Sequence, residues 1–422
     1  MDSSSIFSIT EHVIPSQHIR EYPNAVRDEL APLQLAIKEY RPFNNLNAEP
    51  GSVTIIATHG LGFPKECYEP LWEELIRTAP FKIRGIWIAD CSHLGASGVL
   101  NENIQGDDPN WFDHSRDLLY MVNVFRERMI RPIFGIGHSM GATQLVQLSI
   151  MHPRLFYGLS LFEPIIQNES PPGPNAAMLS SFRKDIWPSR AEAEASLIKN
   201  PLFKILDPRA TKKYFQFGLR EVPTAIYPIS EKSNIRPGAV TLTTTKHQEA
   251  WSYLRPNFAP LPSDPNDRKE RLISPDQNPL EEGMRIFVCS AALLAFLSLP
   301  QLRPDVLWVF GSASPINLPE RIDEKMKTTG IGRGGSGGVK AGRVQKVIME
   351  KTGHFAPFQA VSKCSEIIRD WMGKELERYR QDEEFYNTHQ SRKSEGSNIL
   401  SKEWLQAVRL DSTIKRPTKE KL

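Results

Sequence analysis

Cysteine is scarce in this chain. Its four cysteines, Cys67, Cys91, Cys289 and Cys364, are scattered without a Cys-x-x-Cys spacing. That excludes a zinc ribbon and points to a reducing compartment rather than a disulfide framework. Neither sign of charge dominates: Lys and Arg number 52 against 49 Asp and Glu, a formal charge of +3. Such a balance gives no field for gripping nucleic acid or an anionic membrane. Long apolar runs are missing as well. The longest, Ile286 to Leu299, is shorter than the roughly 20 residues that cross a bilayer, and it reads as a buried helix ended by Pro300. Met1-Asp2-Ser3-Ser4-Ser5 lacks a basic segment and no apolar stretch follows, so no secretory signal is expected.

What is present is an ordinary globular composition, 40% hydrophobic and 24% charged. The length allows one large α/β domain with insertions, or two domains. Short apolar strands alternate with helical segments through the first half, the pattern of a mostly parallel sheet with helices on both faces. Strands are expected at Val53–Thr58, Ile83–Ala89, Arg131–Ile136 and Tyr157–Phe162, with helices at Tyr68–Arg77 and Ser115–Arg128. Residues 1–49 read as an N-terminal extension. After Glu163-Pro164 the chain turns rich in proline, charge and amphipathic runs, and residues 165–300 read as an inserted helical cap. The sheet resumes with strands Asp305–Gly311 and Val344–Met349 and a helix from Val361 to Met372. The core is thus expected over 50–164 and 301–373. Gly330 to Gly338 reads as a flexible glycine loop; no strand directly precedes it and no G-K-[ST] follows, so a phosphate cradle is not expected. Residues 374–422 form a charged tail with an apolar patch at Ile399, Leu400, Trp404, Leu405 and Val408.

The densest chemical signal is Gly137-His138-Ser139-Met140-Gly141. A G-x-S-x-G run between a buried strand and a helical segment fits a sharp turn that lifts a serine hydroxyl clear of the backbone. Such a hydroxyl needs a base. His354, in Gly353-His354-Phe355 just after the last strand, is the candidate. An oxyanion needs donors, and Thr58-His59-Gly60-Leu61-Gly62 follows the first strong strand. The expected donors are the backbone amides of Leu61 and Met140. His59 and His138 read as residues that fix their turns, and Asp90 as part of a structural turn.

A third group must orient the imidazole. The loop after Gly311, Ser312-Ala313-Ser314-Pro315-Ile316-Asn317, contains no carboxylate. Glu163, ending the strand after the elbow helix, lies at the correct sheet edge and is the preferred candidate. Glu320 and Asp323 are the alternatives.

With these residues in place the chain resembles the α/β-hydrolase fold superfamily. More narrowly, it resembles the fungal group of the yeast peroxisomal lipase and the hydrolases of host-selective toxin biosynthesis. The motifs carrying the narrower likeness are Leu161-Phe162-Glu163-Pro164, Asn110-Trp111-Phe112-Asp113 with Arg116-Asp117, and Gly353-His354. The resemblance also implies a glutamate in the acid position and draws attention to the terminal Lys419-Glu420-Lys421-Leu422. Lys421-Leu422 fits the tripeptide read by the peroxisomal import receptor, while Glu420 departs from the usual small residue. A peroxisomal location is therefore expected, with the cytoplasm as the alternative.

Together these features predict a serine hydrolase that cleaves the carboxylic ester or thioester of a small acyl substrate, without metal or organic cofactor. Aromatic residues of the cap, Phe182, Trp187, Phe203, Tyr214, Phe215 and Trp251, are available to wall its pocket or to form the cap's own core. Acyl transfer to an alcohol and a non-catalytic binding protein are the rival readings.

Overall fold

In the computed structural model the first six strands are β1 (Phe7–Pro15), β2 (Gln34–Pro42), β3 (Val53–Thr58), β4 (Ile83–Ala89), β5 (Ile133–His138) and β6 (Gly158–Phe162). Five short ones follow: β7 (Ile186–Trp187), β8 (Leu219–Glu221), β9 (Val240–Leu242), β10 (Arg255–Pro256) and β11 (Phe287–Val288). β12 (Asp305–Gly311) and β13 (Val344–Met349) complete the set. The described residues are 6–169, 175–230, 235–256, 258, 264, 268–273, 275–276, 287–390 and 399–410. The proposed import tripeptide at Leu422 lies outside them.

Eight strands make one sheet in the order β1-β2-β4-β3-β5-β6-β12-β13. The pairs from β4 to β13 are parallel, while β1–β2 and β2–β4 are antiparallel. Every residue of β3, β5, β6 and β12 is buried. Strands covered on both faces need continuous apolar runs rather than alternation, which is why these read so clearly in the sequence. The fold is the expected mostly parallel α/β sheet with a large insertion after β6.

The first 49 residues are not an extension, because β1 and β2 belong to this sheet. Their charged residues hide the strand pattern. Lys38 and Glu39 sit mid-strand in β2, buried, and their partners come from distant segments: Glu66 for Lys38 at 3.1 Å, and Arg128 for Glu39.

The chain divides into two compact units, Met1–Glu375 and Leu376–Leu422. Within the first, the insertion is not purely helical. Helices such as Arg190–Leu197, Pro208–Phe217 and Lys246–Tyr253 accompany a three-stranded antiparallel sheet, β7-β9-β8. Strands of two or three residues are too short to show a period. Trp187, Ala193, Leu219, Val240 and Leu242 give this region its own small core. The apolar run before Pro300 forms helix Ser290–Ser298, but it is buried on one side only; Ala292 and Ala295 face inward while Leu297 is 60% exposed. The glycine loop is not free either. Gly330 and Gly332 donate to the carbonyls of Leu299 and Pro300, and Gly337 donates to that of Gly330.

The final helix of the core runs from Val361 to Gln390, beyond the expected Met372. A second tail helix spans Lys402–Leu410, with Trp404, Leu405 and Val408 exposed. No helix among the described residues is long and apolar enough to cross a membrane.

Candidate active site

Ser139 joins β5 to helix Met140–Met151 with φ 56° and ψ −120°. A non-glycine residue at positive φ is strained by roughly 1–3 kcal/mol and persists only where its surroundings impose it. Here the Ser139 N–H donates to the Phe162 carbonyl of β6 at 2.9 Å, and the Ala142 N–H donates back to the Ser139 carbonyl at 3.1 Å. Gly141 lets the helix meet β3: a Cβ there would lie 2.6 Å from the Thr58 carbonyl oxygen. The elbow therefore follows from two glycines and a close strand–helix approach.

His354, in the loop after β13, bridges the other two candidates. Its Nε2 lies 2.9 Å from Ser139 Oγ and its Nδ1 3.2 Å from Glu163 Oε2. A carboxylate only accepts, so Nδ1 carries the proton and Nε2 presents its lone pair to the serine hydroxyl. That is the tautomer a general base requires. The histidine side chain keeps 23% of its surface exposed, whereas Glu163 is fully buried.

Glu163 leaves β6 with φ 49°, which turns its side chain across the end of β12. Its N–H donates to the Val309 carbonyl at 2.8 Å. The carboxylate oxygen not facing His354 accepts from the Gly311 N–H and from Asn317 Nδ2, the latter at 2.6 Å. The loop that lacks a carboxylate thus supplies donors to one. Glu320 and Asp323 lie on helix Pro319–Thr328, where Asp323 pairs with Lys346 at 3.5 Å.

The expected oxyanion turn lies against the elbow. His59 Nδ1 donates to the Gly60 carbonyl at 3.0 Å, and His59 Nε2 accepts from the Cys91 N–H at 3.2 Å. The Gly60 carbonyl and the Leu61 N–H share one trans peptide and point in opposite directions. His59 therefore fixes the line along which the Leu61 amide points. Met140 opens its helix, and the first helical N–H groups have no intrahelical partner.

The remaining sequence candidates are structural. Lys65 lies 2.5 Å from Asp90, whose carboxylate also accepts from the Ala96 N–H. Asn110 caps helix Trp111–Val124, while Asp117 and Asp113 hold the N-terminal segment. Asp117 pairs with Arg20 at 2.8 and 3.1 Å, and Asp113 accepts from the Glu21 N–H. Burial raises the Asp113 carboxyl to about 6 despite Arg20. In the cap, Phe182 is 85% exposed and Trp187 belongs to the small cap core. Tyr214 does reach toward it: its ring meets Phe63, which touches Phe355 beside His354.

Residues 55–362 match the alpha/beta hydrolase family. The chain belongs to that family. Among curated relatives, this hydrolase is 38% identical to the type I acyl-CoA thioesterase mpaH of Penicillium roqueforti, over 96% of both chains. It is 27% identical to the abhydrolase domain-containing protein AKT2 of Alternaria alternata, over 58% of this chain and 85% of that one. Among solved structures it is similar to the peroxisomal alpha-beta-hydrolase Lpx1 of Saccharomyces cerevisiae. There the TM-score is 0.64 at 17% identity, covering 96% of each chain.

Three residues in or beside this hydrolase's candidate site escaped sequence reading. Asn317 was legible only as a residue of the loop without a carboxylate. Gly311 acts through its backbone, which leaves no side-chain signal. Tyr68, at the end of a short 3-10 helix after the oxyanion turn, looks like any apolar residue entering a helix.

Proposed function

We propose that Ser139, His354 and Glu163 form the catalytic triad of an acyl thioester or ester hydrolase, with thioesters as the substrate class. The observation that carries this is His354 placed between Ser139 Oγ and Glu163, with its tautomer fixed. The relationship to an acyl-CoA thioesterase over nearly the whole chain supports the thioester.

Ser139 Oγ attacks the acyl carbonyl as His354 Nε2 takes its proton. The amides of Leu61 and Met140 receive the negative charge that develops on the carbonyl oxygen, each donor being worth about 3 kcal/mol in the transition state. Glu163 stabilises the imidazolium, which then protonates the departing thiolate or alkoxide. A water deprotonated by the same imidazole releases the acid from Ser139.

Labelling with a fluorophosphonate tests the nucleophile. Wild type is expected to label and Ser139→Ala to stay unlabelled; equal labelling of both sinks the assignment. Matched acyl-CoA and oxyester substrates test the class, with higher kcat/KM expected for the thioester. The terminal Lys421-Leu422 supports peroxisomal import. A fluorescent fusion carrying the native C-terminus should enter peroxisomes and lose that location on deletion of these two residues.

A further inference from the structure

The three parts of the candidate site come from separate segments: the elbow after β5, the turn after β3 and the loop after β13. One chain of hydrogen bonds joins them. The Gly60 N–H donates to the Tyr68 hydroxyl at 2.8 Å. Tyr68 Oη lies 2.7 Å from His138 Nδ1, and His138 Nε2 lies 2.8 Å from the backbone carbonyl of His354.

Every proton in this chain is determined. A carbonyl oxygen only accepts, so His138 Nε2 carries the hydrogen given to His354. In a neutral imidazole Nδ1 must then accept, and the Tyr68 hydroxyl donates to it. The phenol oxygen keeps its lone pairs for the Gly60 N–H. Burial, then the neighbouring His354, pushes His138 down to about 3, and burial holds the Tyr68 phenol well above its ordinary value. Both side chains are buried and clamped by rings. Tyr68 meets Phe358 at 4.6 Å and His138 meets it at 5.4 Å. Gly60 is wedged so tightly that a Cβ would lie 2.8 Å from His138 Nδ1 and 3.3 Å from Ser139 Cβ.

We propose that Tyr68 and His138 are positioning residues that lock the oxyanion turn and the His354 loop to the nucleophile elbow. Neither touches the reacting atoms. Tyr68 holds the N–H side of Gly60 while His59 holds its carbonyl, so the Leu61 amide keeps one direction. His138, adjacent to Ser139 in the chain, holds the main chain of the base. The register between base, nucleophile and oxyanion donor is thereby set by three bonds. Misplacement of about 1 Å at such a site lowers rates by two orders of magnitude.

The proposal rests on the serine hydrolase reading, and the test separates the two. Tyr68→Phe removes one oxygen and keeps the ring packing. It should lower kcat roughly 10- to 100-fold with KM nearly unchanged. Affinity for an alkylboronic acid, which mimics the tetrahedral species, should fall in parallel, while the melting temperature stays within a few degrees. His138→Gln keeps a donor and an acceptor and should retain at least tenfold more activity than His138→Leu. The Tyr68→Phe/His138→Leu double variant should be no slower than the worse single one. Wild-type kcat and boronate affinity in Tyr68→Phe would overturn the relay. So would equal activity of the two His138 variants, which decides the matter if Tyr68→Phe fails to fold. If wild type itself neither labels nor hydrolyses, the failure belongs to the hydrolase reading instead.

Discussion

Two buried polar clusters stand near the carboxyl ends of the parallel strands, built on opposite principles. One contains Lys38, Lys65 and Lys213 against Glu66, Glu69 and Asp90. Lys65 reaches Asp90 at 2.5 Å and Glu66 at 3.3 Å, Lys38 reaches Glu66 at 3.1 Å, and Lys213 pairs with Glu69. Burial alone would raise the Asp90 carboxyl, but Lys65, then His59, holds it below the ordinary carboxylate range. The other cluster is Ser139, His354 and Glu163. There the hydrogen-bond partners of the carboxylate are the Gly311 amide, the Asn317 amide and the His354 imidazole, with no Lys or Arg among them.

The difference is one of timing. In the first cluster opposite charges already meet, and their attraction is used up in holding strands, turn and cap together. In the second, on the proposed mechanism, the countercharge appears only when His354 accepts the serine proton. Interactions that strengthen in the transition state accelerate a reaction, while those complete in the ground state do not.

Breaking the second cluster should therefore stop turnover and spare the fold. Glu163→Gln is expected to lower kcat by roughly 10²- to 10⁴-fold. The amide can still accept from Gly311, but it offers no full anion to an imidazolium. Circular dichroism and melting should stay close to wild type. Near-normal kcat in this variant, with Glu320→Gln or Asp323→Asn inactive, would move the acid elsewhere.

Asn317→Ala should have a smaller effect, about tenfold on kcat, because the Glu163 carboxylate loses a donor that aims it at His354. KM and the melting temperature should stay close to wild type. An unchanged kcat would show that Asn317 does not orient the carboxylate.

Breaking the first cluster should invert the pattern. Lys65→Met leaves Asp90 buried without its nearest cation and is expected to cost about 3–5 kcal/mol of stability. Turnover per folded molecule should remain within a few-fold. Lost turnover at an unchanged melting temperature would place the Lys65–Asp90 pair in the chemistry and erase the contrast.

The last effect, small at neutral pH, concerns neutral groups near both clusters. Burial pushes His93 and His138 down to about 3 and His114 well below its ordinary value. Unfolded, these imidazoles bind protons near 6.5. The unfolded chain then holds more protons than the folded one below that pH, so stability is full above about 6.5 and is lost as pH falls toward 3. The urea midpoint should decline accordingly. Among the described residues neither ring nitrogen of His114 has a hydrogen-bond partner, so His114→Phe should make the decline shallower. An unchanged slope would show that His114 is not among the groups responsible.

Legibility in the sequence followed the local apolar pattern. β3, β4, β12 and β13 read with their observed bounds, Val53–Thr58, Ile83–Ala89, Asp305–Gly311 and Val344–Met349. For the inner strands, continuous apolar cover makes the run unmistakable. The elbow was legible because glycines on either side of a serine mark a backbone constraint. Glu163 could be reasoned to from its place at the sheet edge. By contrast, β1 and β2 carry charges whose compensation lies in remote segments, which no local window contains. Asn317 and Tyr68 matter through one hydrogen bond each, and a single polar atom leaves no pattern along the chain. The glycine loop was misread because glycine content indicates backbone freedom only until carbonyls from a neighbouring segment capture its amides.

Ser139 and Glu163 belong to one strand–helix–strand unit, β5 to β6, whereas His354 bonds to them across separations of 215 and 191 residues. Two of the three groups are therefore brought together by local chain assembly. The third must wait until the chain has closed the insertion, paired β12 with β6 and added β13 to β12. Gain of serine reactivity during refolding would then mark the docking of the last strand, a built-in clock for completion of the sheet.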